Sequence, residues 1–335
     1  WNMRWCRSLR FGRFSLAAAA AGLCAGVTGA GVLGAAVFGT AAPALAGSMA
    51  GRRADAGPIA VSCSSPAHPK LAARIARGIH AAVSGRSSSV ALRVYDKSEG
   101  LNCWLNPTTH FDSASVVKVT ILGTLLREAE TQHRQLTSSE VRLARLMITQ
   151  SDNNAASALW AHVGRGRLRY FLGRAGMKQT QLGPGGYWGL TQITARDEML
   201  LMNVLMYPNT VLDAASRTFA LNLMAQVIPS QRWGVPAGAP TDLTVHVKNG
   251  WLPLATHGWR IHSIGCFTGH HRGYSIVVLT QDNPSMVYGI TTIESIAQVI
   301  HRQINPTASA FRPASAPVPS WGKPDEQIPP ALGGR

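Results

Sequence analysis

Ser115 and Lys118 are three positions apart, so a helix would place both side chains on one face. A serine hydroxyl becomes an effective nucleophile when a neighbouring base removes its proton. A lysine amine can be that base where burial and nearby positive charge lower its pKa. The pair predicts nucleophilic catalysis by Ser115, although the same spacing recurs in the C-terminal tail at Ser320 and Lys323.

Two further short motifs follow in the chain. Ser151-Asp152-Asn153 interrupts an apolar helical run with residues that favour turns and caps. Lys248-Asn249-Gly250 ends a predicted strand and precedes Trp251. Each motif alone is equally typical of an ordinary turn. Together they form an ordered set, with 36 residues from Ser115 to Ser151 and 97 from Ser151 to Lys248. Two of only six lysines in the chain belong to it, which favours a single catalytic site.

The ordered set resembles the signature of the serine β-lactamase and penicillin-binding protein superfamily, and most closely that of the class A β-lactamase-like serine hydrolases. The resemblance covers about residues 67 to 304. It includes residues 190–199, which are similar to the family's threonine-rich entry to a helix. The resemblance implies a serine hydrolase that forms an acyl-enzyme with β-lactams or related amides and needs neither a metal nor another cofactor.

The resemblance also implies a role for each residue of the set. Ser115 would be the acylated nucleophile, Lys118 its proton acceptor, and Ser151 the relay that protonates the leaving nitrogen. The predicted substrate-binding residues carry the other contacts. Asn153 would hold the substrate's amide side chain, Lys248 would attract its carboxylate, and the backbone N–H groups of Ser115 and Trp251 would form the oxyanion hole, with Asn249 and Gly250 completing the strand.

The chain departs from the family pattern at two places. The family usually has Thr or Ser where this chain has Asn249, whose amide could still donate a hydrogen bond. Class A enzymes also use a loop glutamate to activate the deacylating water, but no Asp or Glu lies between Asp152 and Asp197. The loop there reads Gly183-Pro184-Gly185-Gly186-Tyr187-Trp188-Gly189, with Gln181 and Gln192 as its polar neighbours. We therefore expect slow deacylation.

Three alternatives to a β-lactamase-like hydrolase can be compared with this pattern. A penicillin-binding D-Ala-D-Ala carboxypeptidase-like enzyme would share the slow deacylation. A non-catalytic relative would bind wall peptides in a vestigial cleft and would fit the missing glutamate. A Ser-His-Asp hydrolase is disfavoured because the chain lacks a Gly-x-Ser-x-Gly elbow.

The periodicity of apolar residues predicts the elements that position the motifs. A helix to about residue 84 is followed by two strands, a helical block, three strands and a last helix. The fold class is α+β: an antiparallel five-stranded sheet built from both ends of the chain, flanked by the N- and C-terminal helices, with an inserted all-helical lobe. The predicted strands are 90–95, 101–105, 243–251, 259–268 and 274–281.

The composition divides the chain into four segments. Residues 1–46 combine a basic start, an uncharged Ala- and Gly-rich run and a final Ala-Leu-Ala, which predicts a signal peptide and a secreted or cell-surface protein. Retention as a membrane anchor is the alternative. Residues 47–66 are predicted to be a linker, 67–304 the catalytic domain with its helical lobe at 113–227, and 305–335 a Pro-rich disordered tail.

Charge and cysteine content define the expected surroundings of the protein. The chain has a formal net charge of +16. Its Arg residues are scattered, which favours electrostatic association of a monomer with an anionic cell wall over nucleic-acid binding. After export, an oxidising compartment allows one disulfide, which we assign to Cys63 and Cys103. Cys266 lies within an apolar strand and is predicted to be a buried thiol, and no cysteine or histidine has metal-ligand spacing.

Overall fold

The protein is described by a computed structural model at residues 60–254, 256–269 and 272–306. The predicted signal peptide, the linker up to residue 59 and the tail from residue 307 lie outside these residues. No helix within the described part of the chain is long and apolar enough to cross a membrane.

An antiparallel sheet of six strands forms the centre of the fold, in the order β1-β3-β2-β8-β7-β6. The early strand β2 pairs with the late strand β8, so strands from both ends of the chain form one sheet, as predicted. The strands are β1 (Ser62–Ser64), β2 (Ser89–Asp96), β3 (Leu101–Leu105), β6 (Thr244–Pro253), β7 (Trp259–Gly269) and β8 (Arg272–Asn283), and a separate small pair is formed by β4 (Phe111–Asp112) and β5 (Gln192–Ile193).

The described residues contain seven α-helices. They are α1 (Pro69–Val83), α2 (Lys118–Thr131), α3 (Ser138–Arg145), α4 (Asn153–Arg174), α5 (Ala195–Met206), α6 (Ala214–Ala225) and α7 (Met286–Ile304). Of these, α1, α5, α6 and α7 pack against the sheet. Helices α1 and α7 pack closely, because a Cβ on Gly78 would come within 2.4 Å of Val299 Cγ1. The inserted helical lobe and the α+β class are confirmed.

Two faces of the sheet are covered by helices from different parts of the chain. Phe267 of β7 packs edge-on against His301 of α7. The preceding residue, Cys266, contacts Met202 of α5. Successive strand residues point to opposite faces, so α5 and α7 lie on opposite sides of β7. Cys266 is fully buried, as predicted.

The sixth strand corrects both the predicted strand count and the predicted linker. β1 lies within the interval 47–66 and pairs with β3, so the folded domain begins before residue 67. Its sequence, Ser-Cys-Ser, has no apolar alternation that would identify a strand. Cys63 lies directly opposite Cys103 in this pairing, and the two form the predicted disulfide.

Replacing both Cys63 and Cys103 with serine is expected to lower the free energy of unfolding by about 4 kcal/mol. The disulfide closes a loop of 40 residues, and opening that loop enlarges the conformational entropy of the unfolded chain. Urea unfolding under oxidising conditions measures the change. Reduction should remove the difference between wild type and variant, whereas a loss below about 1 kcal/mol would contradict the expectation.

Candidate active site

Ser115 lies in a 3-10 turn, Ala114–Val117, that leads directly into α2. In such a turn the side chains of residues i and i+3 eclipse, so Ser115 and Lys118 share a side, as predicted. Ala114 enters the turn with φ of 47°, a left-handed conformation that is costly for a residue with a Cβ. Ser115 is half-buried, whereas Lys118 is completely buried. Ser115 is therefore partly accessible, whereas Lys118 is shielded from solvent.

The Lys118 ammonium faces three oxygen acceptors at the start of α4. Its Nζ donates to the backbone oxygen of Ser151 at 2.6 Å, to Ser151 Oγ at 3.1 Å and to Asn153 Oδ1 at 2.6 Å. A lysine ammonium has three hydrogens and no acceptor site. These three contacts hold the Lys118 amine beside Ser151 and Asn153.

The three residues of the Ser-Asp-Asn motif make different contacts. A π-helical turn, Leu146–Gln150, ends at Ser151, whose φ of 59° and ψ of 32° bring its hydroxyl and its carbonyl to Lys118. Asp152 caps α4 by accepting a hydrogen bond from Ala155 N at 2.6 Å. Asn153 begins α4 and binds Lys118. The structure thus brings Ser151 and Asn153 to the site, and Asp152 holds them there.

Lys248 of β6 reaches the same hydroxyl. Its Nζ donates to Ser151 Oγ at 3.0 Å and to Asn249 O at 2.9 Å. Ser151 therefore lies between two lysines, with its oxygen able to accept from both and its hydrogen free for a third group. The Lys248 side chain is completely buried, and this burial lowers its pKa from 10.5 to about 7. Near neutral pH Lys248 can thus exchange a proton.

Replacing Lys248 with methionine is expected to remove a pH-dependent part of the stability. Between about pH 7 and 10.5 the unfolded chain protonates Lys248 and the folded chain does not, so wild-type stability rises with pH. One such proton contributes about 1.4 kcal/mol per pH unit. Below pH 7 both states bind the proton, and the slope disappears. Urea unfolding of both proteins at pH 6, 8 and 9.5 measures the difference, and parallel curves would contradict this expectation.

Gly250 explains how β6 approaches the nucleophile so closely. A Cβ at this position would lie 3.0 Å from both Ser113 O and Ser115 N and 3.1 Å from Val116 N. Only a residue without a Cβ lets the strand contact the backbone of the 3-10 turn in this way. Trp251 follows at the same edge of the site, half-buried and with its ring 6.0 Å from that of Trp233.

The side chain of Asn249 does not reach the predicted substrate site. It is completely buried, and its Nδ2 donates to the backbone oxygens of Gln231 and Trp233, both at 2.9 Å. Both amide hydrogens are therefore used to tie β6 to the segment before it. Asn249, predicted to be a substrate-binding residue, instead turns its amide nitrogen into the interior, because successive strand residues face opposite sides and Lys248 lies on the side of Ser151.

The loop that lacks an acid places an indole beside Lys118. The centroid of the Trp188 ring lies 4.7 Å from Lys118 Nζ, and the side chain is only 3% exposed. Its Nε1 donates to Ser157 Oγ of α4 at 3.1 Å. Gln192, one of the two polar neighbours of the loop, directs its amide nitrogen to Asp112. Sequence patterns did not indicate Trp188, because it lies 70 residues from its lysine.

The described residues contain no group of three or more His, Cys, Asp or Glu side chains that could hold a metal ion. The site instead consists of a half-buried serine, two buried lysines, and a hydroxyl between the two amines. Such a set can remove a proton from Ser115 and deliver one to a leaving group.

The chain is similar to a known protein family in sequence and to several solved structures in fold. The sequence profile of the beta-lactamase enzyme family matches residues 137–304, half of the chain. LppW, a protein of Mycobacterium tuberculosis and Mycobacterium bovis described as a lipoprotein, is 27% identical over 205 residues. That match covers 59% of this chain and 64% of LppW, so the chain spans less than two thirds of this relative.

Several solved structures share the fold. A class A beta-lactamase from Bacteroides cellulosilyticus superposes with a TM-score of 0.62 at 17% identity, covering 70% of this chain and 99% of that one. A point mutant of PBP-A, in a structure of its acyl-enzyme complex with penicillin G, superposes with a TM-score of 0.60 at 16% identity, covering 70% of this chain and 97% of that one. At these identities the likeness concerns the fold.

Proposed function

The chain belongs to the beta-lactamase enzyme family, and from this premise we propose that it is an exported serine hydrolase that is acylated on Ser115 by β-lactams or related amides. One observation carries the proposal: the Ser151 hydroxyl lies within 3.1 Å of both Lys118 Nζ and Lys248 Nζ, beside the turn that holds Ser115. A hydroxyl shared by two amines is suited to move protons between them.

Acylation would proceed in two steps, attack on the carbonyl carbon and cleavage of the carbon–nitrogen bond. Ser115 Oγ attacks the carbonyl carbon, and its proton passes to the neutral amine of Lys118. The carbon–nitrogen bond then breaks, and the leaving nitrogen takes the Ser151 proton, which one of the two lysines replaces. The backbone N–H groups of Ser115 and Trp251 would bind the developing oxyanion, and the close approach at Gly250 supports this placement.

Binding of the substrate would use the remaining residues of the cleft. Asn153 already accepts a hydrogen bond from Lys118 through Oδ1, which orients its amide nitrogen for a substrate carbonyl. Lys248, partly charged near neutral pH, would attract a substrate carboxylate. We assign no substrate contact to Asn249, which is committed to the interior.

The proposed slow release of the acyl group can be tested by time-resolved intact mass spectrometry. The full chain is mixed with excess penicillin G, and we expect one covalent adduct per molecule that persists after the free drug is removed. A chromogenic cephalosporin should be consumed in a single burst. Fast multiple turnover would contradict slow deacylation, and the absence of any adduct would contradict acylation itself.

Slow release also fits a second candidate, a penicillin-binding carboxypeptidase-like enzyme. The observation that favours it is the indole at the place beside Lys118 where no acid is present. Release of D-Ala from a peptide ending in D-Ala-D-Ala distinguishes this activity from a β-lactamase. Peptide binding that survives Ser115→Ala without any adduct would instead indicate the non-catalytic relative.

We propose that the protein acts at the cell envelope as a monomer. The N-terminal signal-like segment supports export, and the description of LppW as a lipoprotein is consistent with this location. A basic lobe surface supports attraction to an anionic wall. Residues 153–196 contain six Arg and Lys residues and no acid, and five of the six are exposed: Arg167, Arg169, Arg174, Lys178 and Arg196.

A further inference from the structure

Trp188 combines a contact with the catalytic lysine and a position against the nucleophile's turn. Building on the proposed function, we infer that Trp188 is a positioning residue that keeps water from Lys118 and from the ester on Ser115, and that it thereby causes slow release of the acyl group. Slow release of the acyl group then has two causes, the missing loop glutamate and the shielding by the indole.

Trp188 contacts Lys118 directly. The face of the indole lies over Lys118 Nζ with 4.7 Å between the nitrogen and the ring centroid, which is the geometry of a cation–π interaction. Three oxygens of Ser151 and Asn153 surround the same nitrogen. Lys118 has no exposed surface, so water can reach its amine on this side only if Trp188 moves.

Trp188 is anchored both by its side chain and by its backbone. Its indole N–H is bonded to Ser157, and its backbone lies in a short 3-10 turn, Trp188–Leu190. Ser113 Oγ is 3.4 Å from the carbonyl oxygens of both Trp188 and Gly189. Ser113 N also donates to Thr191 O at 2.8 Å. The turn that contains Trp188 is therefore hydrogen-bonded to the segment that contains Ser115.

A third contact fixes the start of the loop. A Cβ on Gly183 would lie 2.2 Å from Tyr187 O, so the loop folds back on itself at a position that only glycine allows. Arg165 of α4 donates to Gly183 O. The loop is thus held at both ends, and the indole is held in place between them.

Hydrolysis of the acyl-enzyme shows why this position matters. A water oxygen must add to the acyl carbon while a base takes one of its protons. The carbon–Oγ bond then breaks, and Ser115 Oγ receives a proton. Lys118 is a base of the proposed site, and the indole covers it. Removing the indole should admit water beside this amine and shorten the lifetime of the ester.

The test compares Trp188→Ala with Trp188→Phe, which keeps an aromatic face but loses the bond to Ser157. After acylation with penicillin G, we expect Trp188→Ala to release the acyl group at least about 10-fold faster than wild type. Trp188→Phe should stay within about 3-fold of wild type. Acylation rates should change less than release rates. Trp188→Leu replaces Trp188→Ala if thermal unfolding shows that the alanine variant does not fold.

A second measurement needs no substrate and separates this inference from the proposed function. The unacylated proteins are treated with acetic anhydride, and acetylation of Lys118 is followed by peptide mass spectrometry. We expect protection in wild type and Trp188→Phe, and at least about 10-fold faster labelling in the folded alanine or leucine variant. Equal labelling in all proteins overturns the inference, and so do equal release rates. If Lys118 of wild type is protected from acetylation as expected but wild type forms no penicillin adduct, the proposed function is overturned. Trp188 would then only shield the lysine.

Discussion

Ser115→Ala is expected to abolish the covalent penicillin adduct, lowering the rate of acylation by about 10³-fold or more. The variant lacks the oxygen that forms the ester, and no neighbouring serine can replace it. Ser113 is completely buried, and the Ser151 hydroxyl is held between Lys118 and Lys248. Intact mass after incubation with penicillin G measures the result, and tandem mass spectrometry of the wild-type adduct locates the modified residue.

The chain supplies a matched control for this experiment. Ser320 begins a second Ser-x-x-Lys sequence, Ser320-Trp321-Gly322-Lys323, outside the catalytic set. Ser320→Ala should be acylated like wild type, because in the sequence no Ser-Asp-Asn and no Lys-x-Gly motif follows Ser320. An equal adduct on Ser115→Ala and wild type would exclude Ser115 as the nucleophile.

Gly250→Ala is expected to slow acylation by about 10²-fold while the protein remains folded. The added methyl group would lie 3.0 to 3.1 Å from three backbone atoms of residues 113–116, so β6 or the turn that carries Ser115 must move by a few tenths of an ångström. Backbone atoms cannot rotate away as a flexible side chain can. The shift would displace the Ser115 N–H relative to the Trp251 N–H, and the two would no longer bind one oxyanion.

Stopped-flow acylation kinetics and thermal unfolding separate this local effect from a loss of fold. Gly173→Ala is the matched control, since a Cβ at Gly173 would meet no atom within 4 Å. We expect the control to be acylated at the wild-type rate. Acylation of folded Gly250→Ala within about 3-fold of wild type would show that the close approach of β6 is not required.

Much of the fold could be predicted because strong local patterns and the global architecture agree. The spacing of Leu71, Ile75, Ile79 and Val83 predicts the apolar face of α1; the last three side chains are buried and Leu71 is half-buried. Runs of apolar residues likewise identify β2, β3 and the three late strands. β1 was missed because a strand of three small polar residues is held by its pairing with β3 and by the disulfide, which are tertiary features.

The candidate site shows the same division more sharply. The sequence alone determined the set of reacting groups, since Ser115, Lys118, Ser151 and Lys248 stand in an order that predicts how Ser115 is acylated. The structure brings three of the four together, with Ser151 bonded to both lysines, and Ser115 lies in the turn that β6 approaches at Gly250. Residue type and order sufficed here because each motif lies on its own helix end or strand.

Only the tertiary structure decided what surrounds these groups. Burial of Lys248 lowers its pKa to about 7, Asn249 turns into the interior, and Trp188 covers Lys118. Burial, side-chain direction and contact between residues 70 positions apart depend on how the segments pack, and no local pattern encodes them. Ser115 and its partners could therefore be read from the chain, whereas the indole proposed to delay the release of Ser115 became visible only in the folded protein.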